Sequence, residues 1–206
     1  MDELEGIFMN KLVIKKYIVF IVGCLVMGCG IRLCDFAQLG VDPMSVLDLG
    51  LTKHIPITFG TANLIVSLIM VGSGFILDKK NVTVATVIAL FMVSIGIDLF
   101  SILPIGYQTG LPAFILMIIG FLIYCLGISI TQIPHCGYAA YDCLVFGLME
   151  KTNKEYHFFR WIIDGSYSII GWLLGGTLGV NTFVVFFCTG KVVEFIVPKL
   201  KKVIKF

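Results

Sequence analysis

The chain has 206 residues, of which 58% are hydrophobic and only 14% charged, with a formal net charge of +2. An ordinary soluble domain carries about 25% charged side chains, so a soluble enzyme domain is excluded. Disorder and a nucleic-acid-binding module go with it, since the chain is too apolar to stay unfolded and too weakly charged to hold a phosphate backbone. What remains is the membrane: a bilayer core of roughly 30 Å takes about 20 apolar residues per helix, so six crossings use about 120 residues and leave short loops.

Taken in order, Lys11, Lys15 and Lys16 precede the first apolar stretch and imitate a signal peptide. The run 17–31 lacks a small-x-small cleavage site and is followed by Arg32 and Asp35, which favours an uncleaved first span. Met9 is a candidate natural start, which would leave the preceding MDELEGIF without a role in the fold. The apolar runs fall at 17–36, 60–77, 83–103, 111–133, 158–176 and 180–198, each long enough for a tilted helix, so the expected class is an all-α polytopic membrane protein with six crossings. Two segments are too short or too polar to span, 40–54 and 137–151. Asp42 followed by Pro43 is a capping residue before a first-turn proline, so a short helix starts there. Both segments are read as half-helices dipping into the protein, the alternative being interfacial helices lying flat on the bilayer.

Lys and Arg accumulate on the cytoplasmic side of membrane proteins. With the amino terminus inside, the inner segments hold Lys11, Lys15, Lys16, Lys79, Lys80, Lys151, Lys154, Arg160, Lys199, Lys201, Lys202 and Lys205, while the outer ones hold only Arg32 and Lys53. Both termini are expected in the cytoplasm.

The chain also matches itself. A shift of 97 residues places Gly23 on Gly120, Gly30 on Gly127, Gly40 on Gly137, Gly50 on Gly147 and Gly74 on Gly171; at 96 it continues with Thr86 on Thr182 and Asp98 on Glu194. Each half would hold three crossings and one short segment, and an odd number of crossings inserts the second half upside down. The expected layout is one membrane domain over 1–206: a cytoplasmic segment 1–16, repeat one at 17–104, repeat two at 111–199 and a basic tail at 200–206. Inverted repeats whose interrupted helices meet near the midplane are a common plan of secondary transporters.

Ionisable groups facing lipid are costly, so those inside spans should face the interior or a partner. The short segments and their surroundings supply the candidate substrate-binding set Arg32, Ser45, Asp48, Asn63, Tyr138, Tyr141 and Asp142, with Asp98 and Asp164 as ion-coupling candidates. If the Asp42-Pro43 end points inward, its free N–H groups would suit an anionic or carbonyl-bearing ligand. Lys191 and Glu194, three apart on one helical face, could neutralise each other, and Arg160 could reach the headgroups. His54, His135, His157, Trp161 and Trp172 read as interface residues. The seven cysteines show no CxxC pair or zinc spacing and read as small apolar fillers. No Walker, Rossmann, HExxH or nucleophile-elbow motif is present, so no cofactor, metal or enzymatic activity is expected.

The stretches LGVDPMSVLDLGL, ITFGTANLIV and GWLLGGTLGVNTF resemble the YczE/YyaS/YitT-type bacterial integral membrane proteins over about residues 12–200. The pattern at Gly40 to Leu51 carries the resemblance, and its second-half counterpart HCGYAAYDCLVFGL lacks the proline. The resemblance implies a multi-pass bacterial plasma-membrane protein, a transporter of largely uncharacterised substrate, and no catalytic residues. The leading expectation is therefore a small secondary transporter of a polar metabolite, working by alternating access between the repeats, with the lipid bilayer and an unidentified small molecule as partners, no nucleic acid, and a homo-oligomer left open. A substrate-binding subunit of a vitamin importer that needs a partner ATPase, and a non-transporting assembly or structural factor, are the alternatives.

Overall fold

The structure is a computed structural model that describes residues 2–77, 79–137, 139–152 and 155–204, without the side chains of 2–11, 81, 142, 146, 156 and 157. Among them are eight α-helices and no strand: α1 (Asp2–Ala37), α2 (Pro43–His54), α3 (Phe59–Leu77), α4 (Val84–Leu99), α5 (Gly110–Gln132), α6 (Ala140–Thr152), α7 (Tyr156–Leu173) and α8 (Val180–Val203). Short 3₁₀ turns follow α3 and α4.

Local chemistry sets the boundaries. Helix α1 ends where Gln38 turns left-handed (φ 55°) and its side-chain amide donates to the Asp35 carbonyl. The Asp42 carboxylate accepts the Ser45 N–H and Pro43 opens α2, as the sequence predicts. Thr83 and Thr86 cap α4 reciprocally, each hydroxyl accepting the other residue's backbone N–H. The second half repeats part of this: His135 is left-handed (φ 50°) 97 residues after Gln38, and Thr182 accepts the Gly179 N–H as Thr86 accepts that of Thr83.

Five helices are long and apolar enough to cross a membrane: 12–37 of α1, then α3, α4 with its 3₁₀ turn, α5 and α8. Many large apolar side chains on them face outward, among them Ile69, Ile76, Val87, Leu111, Phe114, Phe183 and Phe187. A water-soluble monomer does not tolerate so broad an apolar surface, so the protein is a polytopic, membrane-embedded helical protein. The sixth expected crossing, α7, falls outside that set, because its 18 residues include His157, Arg160 and Asp164.

Helices α1 and α5 form the central pair and run antiparallel. Gly30 lies against Tyr124 and Gly23 against Thr131, while Gly127 lies against Met27 and Gly120 against Cys34. A Cβ on Gly30 or Gly127 would collide with the facing backbone. Exchanging the two halves turns the first two contacts into the last two. The other packed pairs exchange in the same way: α1 on α4 with α5 on α8, and α3 on α6 with α7 on α2. Gly74 meets Cys143 and Leu144 where Gly171 meets Val46 and Leu47.

The link between α1 and α2 leaves Gln38 exposed but buries Gly40 and Val41. Buried carbonyls need donors. The Asn181 N–H donates to the Leu39 carbonyl and its side-chain amide to that of Gly40, both at 2.9 Å, and the Gln108 N–H donates to the Phe36 carbonyl at 2.9 Å. Helix α2 is likewise inserted between neighbours, with Ser45, Val46 and Asp48 fully buried. Asn181→Ala strands the Gly40 carbonyl and is expected to cost about 1–3 kcal/mol, seen as a lower unfolding temperature in detergent. Ser166→Ala, which removes only a hydroxyl bonded to its own helix on an exposed face, is expected to leave that temperature unchanged.

Candidate functional site

A cavity of about 1070 Å³ lies between the halves, walled by residues of all eight described helices. It starts at Met27 and Tyr124, near the middle of the central pair, and extends to the end of the protein where α5 and α8 finish, reaching Gln132, His135 and Pro198. Gln132 and His135 are exposed there. One packing difference makes room for it: α3 packs along α4, whereas α7 has no comparable contact with α8. Arg160 and Asp164 of α7 and Val185, Thr189 and Glu194 of α8 line the resulting gap.

The opposite end is shut. Asp98, near the end of α4, accepts the Gly60 N–H at 2.8 Å and the Thr58 hydroxyl at 2.6 Å, tying α4 to the start of α3. Arg32 pairs with Asp35 at 2.7 Å and lies over the Phe36 ring, 4.6 Å from its centre. Ile97 is fully buried between them and the cavity end.

Polar groups on the cavity wall differ between halves at matching positions. In the first half, the Asn63 side chain bridges two helices: its amide donates to Asp48 Oδ2 at 2.8 Å and its carbonyl accepts from the Ser94 hydroxyl at 3.1 Å. In the second, the position of Asn63 is taken by Arg160, whose Nε lies 3.6 Å from Asp164 and whose carbonyl accepts the Tyr141 hydroxyl at 3.1 Å. The Arg160 guanidinium also lies 5.8 Å from the centre of the Tyr141 ring. Asp164 is only 6% exposed, so its charge is met by Arg160 instead of water.

Of the predicted site residues, Asn63, Tyr141 and Asp164 come together on this wall. Asp48 is fully buried behind it and joined to it through Asn63. Ser45 is buried inside α2 and does not reach the cavity. Arg32 and Asp98 do not either, being held by Asp35 and by Thr58 and Gly60 at the shut end. Tyr138 and the Asp142 side chain lie outside the described residues.

Three sequence readings are corrected. The Asp42 carboxylate caps the amino end of α2 by accepting the Ser45 N–H, so that end does not present a set of free N–H groups to a ligand. Lys191 and Glu194 do not pair; both are exposed, and Glu194 lines the cavity. Arg160, read as a headgroup anchor, lines it too. Tyr124 and Thr189 also belong to the wall; the register of the central pair, which sets Tyr124 on Gly30 and Met27 on Gly127, is a relation between distant parts of the chain.

The arrangement defines a membrane-embedded helical protein with a largely apolar cavity that carries a few polar and charged side chains. Residues 14–198 match the model of a family of unknown function, DUF6198, and the chain belongs to that family. It is 24% identical to the uncharacterized protein YyaS of Bacillus subtilis over 190 residues, 91% of this chain and 94% of that one. It is 19% identical to the uncharacterized membrane protein YczE of the same organism, across 93% of this chain and 89% of that one. An uncharacterized protein of Haemophilus influenzae is 26% identical across 88% and 83%. No solved structure matches the chain significantly.

Proposed function

We propose that the protein is a small secondary transporter of the bacterial plasma membrane, built of two inverted repeats of three crossings each, that moves a small metabolite by alternating access through the cavity between them. The observation that carries this reading is the one unmatched contact in an otherwise exchangeable packing scheme: α3 is closed on α4 while α7 stands away from α8. Two nearly equivalent halves caught in unequal arrangements have a second arrangement of similar energy available, with α7 closed on α8 and α3 parted from α4. The antiparallel central pair supports opposite insertion, since two equivalent helices running in opposite senses are related by an axis across the helices and not along them.

Helix α7 is the sixth crossing in this reading. It takes the place of α3 in the second half, and its polar residues Arg160 and Asp164 turn to the cavity while Trp161, Ile169 and Trp172 stay exposed to lipid. With the positive segments inside, the cavity faces the cytoplasm and the Asp98 end is the closed outer gate. The volume, about 1070 Å³, exceeds the roughly 300–1,000 Å³ of ordinary ligand pockets, so a metabolite enters with some water. A cavity of this size with charged side chains on its wall also weighs against a purely structural role.

Purified protein reconstituted alone into liposomes tests the reading. Saturable, counterflow-competent uptake of a compound from a metabolite panel, without an ATPase partner, is expected. Tight binding with no flux in the absence of a partner would instead fit a binding subunit, and neither binding nor flux would fit an assembly factor.

A further inference from the structure

The contact that shuts one end has a counterpart at the other end that is not made. Helices α3 and α7 begin at matching residues, Phe59 and Tyr156, and so do α4 and α8, at Val84 and Val180. The register that relates the two halves of the sequence is therefore also the register of these helices. At the shut end, Asp98 of α4 accepts the Gly60 N–H in the first turn of α3 and the hydroxyl of Thr58 just before it. Carried into the second half, Asp98 becomes Glu194 of α8, the Gly60 N–H becomes the backbone N–H of His157 in the first turn of α7, and Thr58 becomes Glu155. There α7 stands away from α8. Glu194 lies exposed on the cavity wall, and Glu155, at the cap position of α7, makes no side-chain cap.

Resting on the transporter reading, we propose that Glu194 is the latch of the inner gate: when α7 closes on α8, its carboxylate accepts the His157 N–H at the start of α7, as Asp98 accepts that of Gly60, and shuts the cavity toward the cytoplasm. The first turn of a helix carries N–H groups without intrahelical partners and a partial positive charge, so a carboxylate on the neighbouring helix suits it. Glu155 makes this latch the weaker of the two. Thr58 donates its hydroxyl to Asp98 at 2.6 Å, whereas a carboxylate in the matching place has no proton to donate and sets a like charge beside Glu194. The inequality agrees with the arrangement seen, in which the stronger latch is made and the weaker one is open.

The experiment measures spin-label distances in the full chain in lipid nanodiscs, its seven cysteines replaced, with labels at Phe158 of α7 and Lys199 of α8, both exposed. Glu155→Thr supplies the missing donor and removes the like charge; it is expected to raise the population of the short distance, relative to the long one, about tenfold or more. Adding Glu194→Ala to Glu155→Thr is expected to abolish that gain. Both residues are exposed, so neither substitution disturbs the core. A gain that survives Glu194→Ala, or no gain from Glu155→Thr in a chain whose Thr61 and Ser101 labels part on Asp98→Ala, would overturn the latch and leave alternating access standing. Closing of α7 on α8 that depends on Glu194 but is accompanied by no flux of any metabolite in liposomes would overturn the transporter reading alone. Fixed distances at both ends in every variant would overturn both.

Discussion

Gly30→Leu and Gly127→Leu are each expected to destabilise the protein by about 3 kcal/mol or more, because the central pair is pressed together at both positions until only hydrogen fits. A Cβ at Gly30 would strike the Tyr124 backbone and one at Gly127 the Met27 backbone, and backbone cannot move aside as the end of a flexible side chain can. Leucine is as apolar as the lipid, so the loss comes from separating the two helices and not from any change in partitioning. Both variants should yield little folded protein from detergent, and they should do so alike, since the two contacts exchange when the halves exchange. Gly72→Leu is the control. That glycine also sits in a membrane helix but has nothing within 4 Å of where its Cβ would lie, so its variant is expected to fold and melt normally. A large loss at Gly30 with none at Gly127 would mean that α1 and α5 are not equivalent partners.

The second large effect concerns the shut end. Asp98→Ala removes the acceptor for both the Gly60 N–H and the Thr58 hydroxyl, leaving α3 and α4 held there by apolar packing alone. Hydrogen bonds to a carboxylate contribute about 1.5–3 kcal/mol each, and in the transporter reading proposed above the loss falls on only one of two competing arrangements. If one such bond's worth is lost, the equilibrium moves by about tenfold to a hundredfold toward the arrangement with that end open. Spin labels at Thr61 and Ser101, on the ends of the two helices, should move apart in the variant. Glu194→Ala should leave that distance as it is, because Glu194 matches Asp98 in the chain but lies exposed on the cavity side. An unchanged Thr61 to Ser101 distance in Asp98→Ala would show that this carboxylate is no latch.

Much of the helical layout was readable from hydropathy and capping chemistry. Long apolar runs with few breakers leave a chain in lipid no alternative to helix, since each backbone polar group must be satisfied within the segment. Asp42 before Pro43 fixed the start of α2, and the two expected short segments are the short helices α2 and α6. Helix α7 was read as an ordinary crossing, although Arg160 and Asp164 set it apart from the five clearly apolar spans. Those two residues depress its hydropathy because they belong to the cavity and not to lipid.

The site was less legible, for a physical reason. Asp164 stood out because an ionisable group in an apolar run must find a partner, Tyr141 because it lies in a short polar segment, and Asn63 because it coincides with Arg160 under the 97-residue shift. Arg32 and Asp98 satisfy the same rule with neighbours at the shut end, so burial of a charge did not by itself separate gate from cavity. Tyr124 and Glu194 reach the wall through the crossing of α1 with α5 and the withdrawal of α7 from α8, relations between distant parts of the chain that no local pattern encodes.

The opposed insertion of the two halves is tested most directly by where two matching connections emerge. Single cysteines are placed at Lys80, between α3 and α4, and at Leu178, between α7 and α8, in a chain whose own seven cysteines have been replaced, and intact cells are treated with a membrane-impermeant maleimide. Labelling at position 178 with none at position 80 until the cells are opened is the expected result. Labelling of both positions from the same side would contradict it.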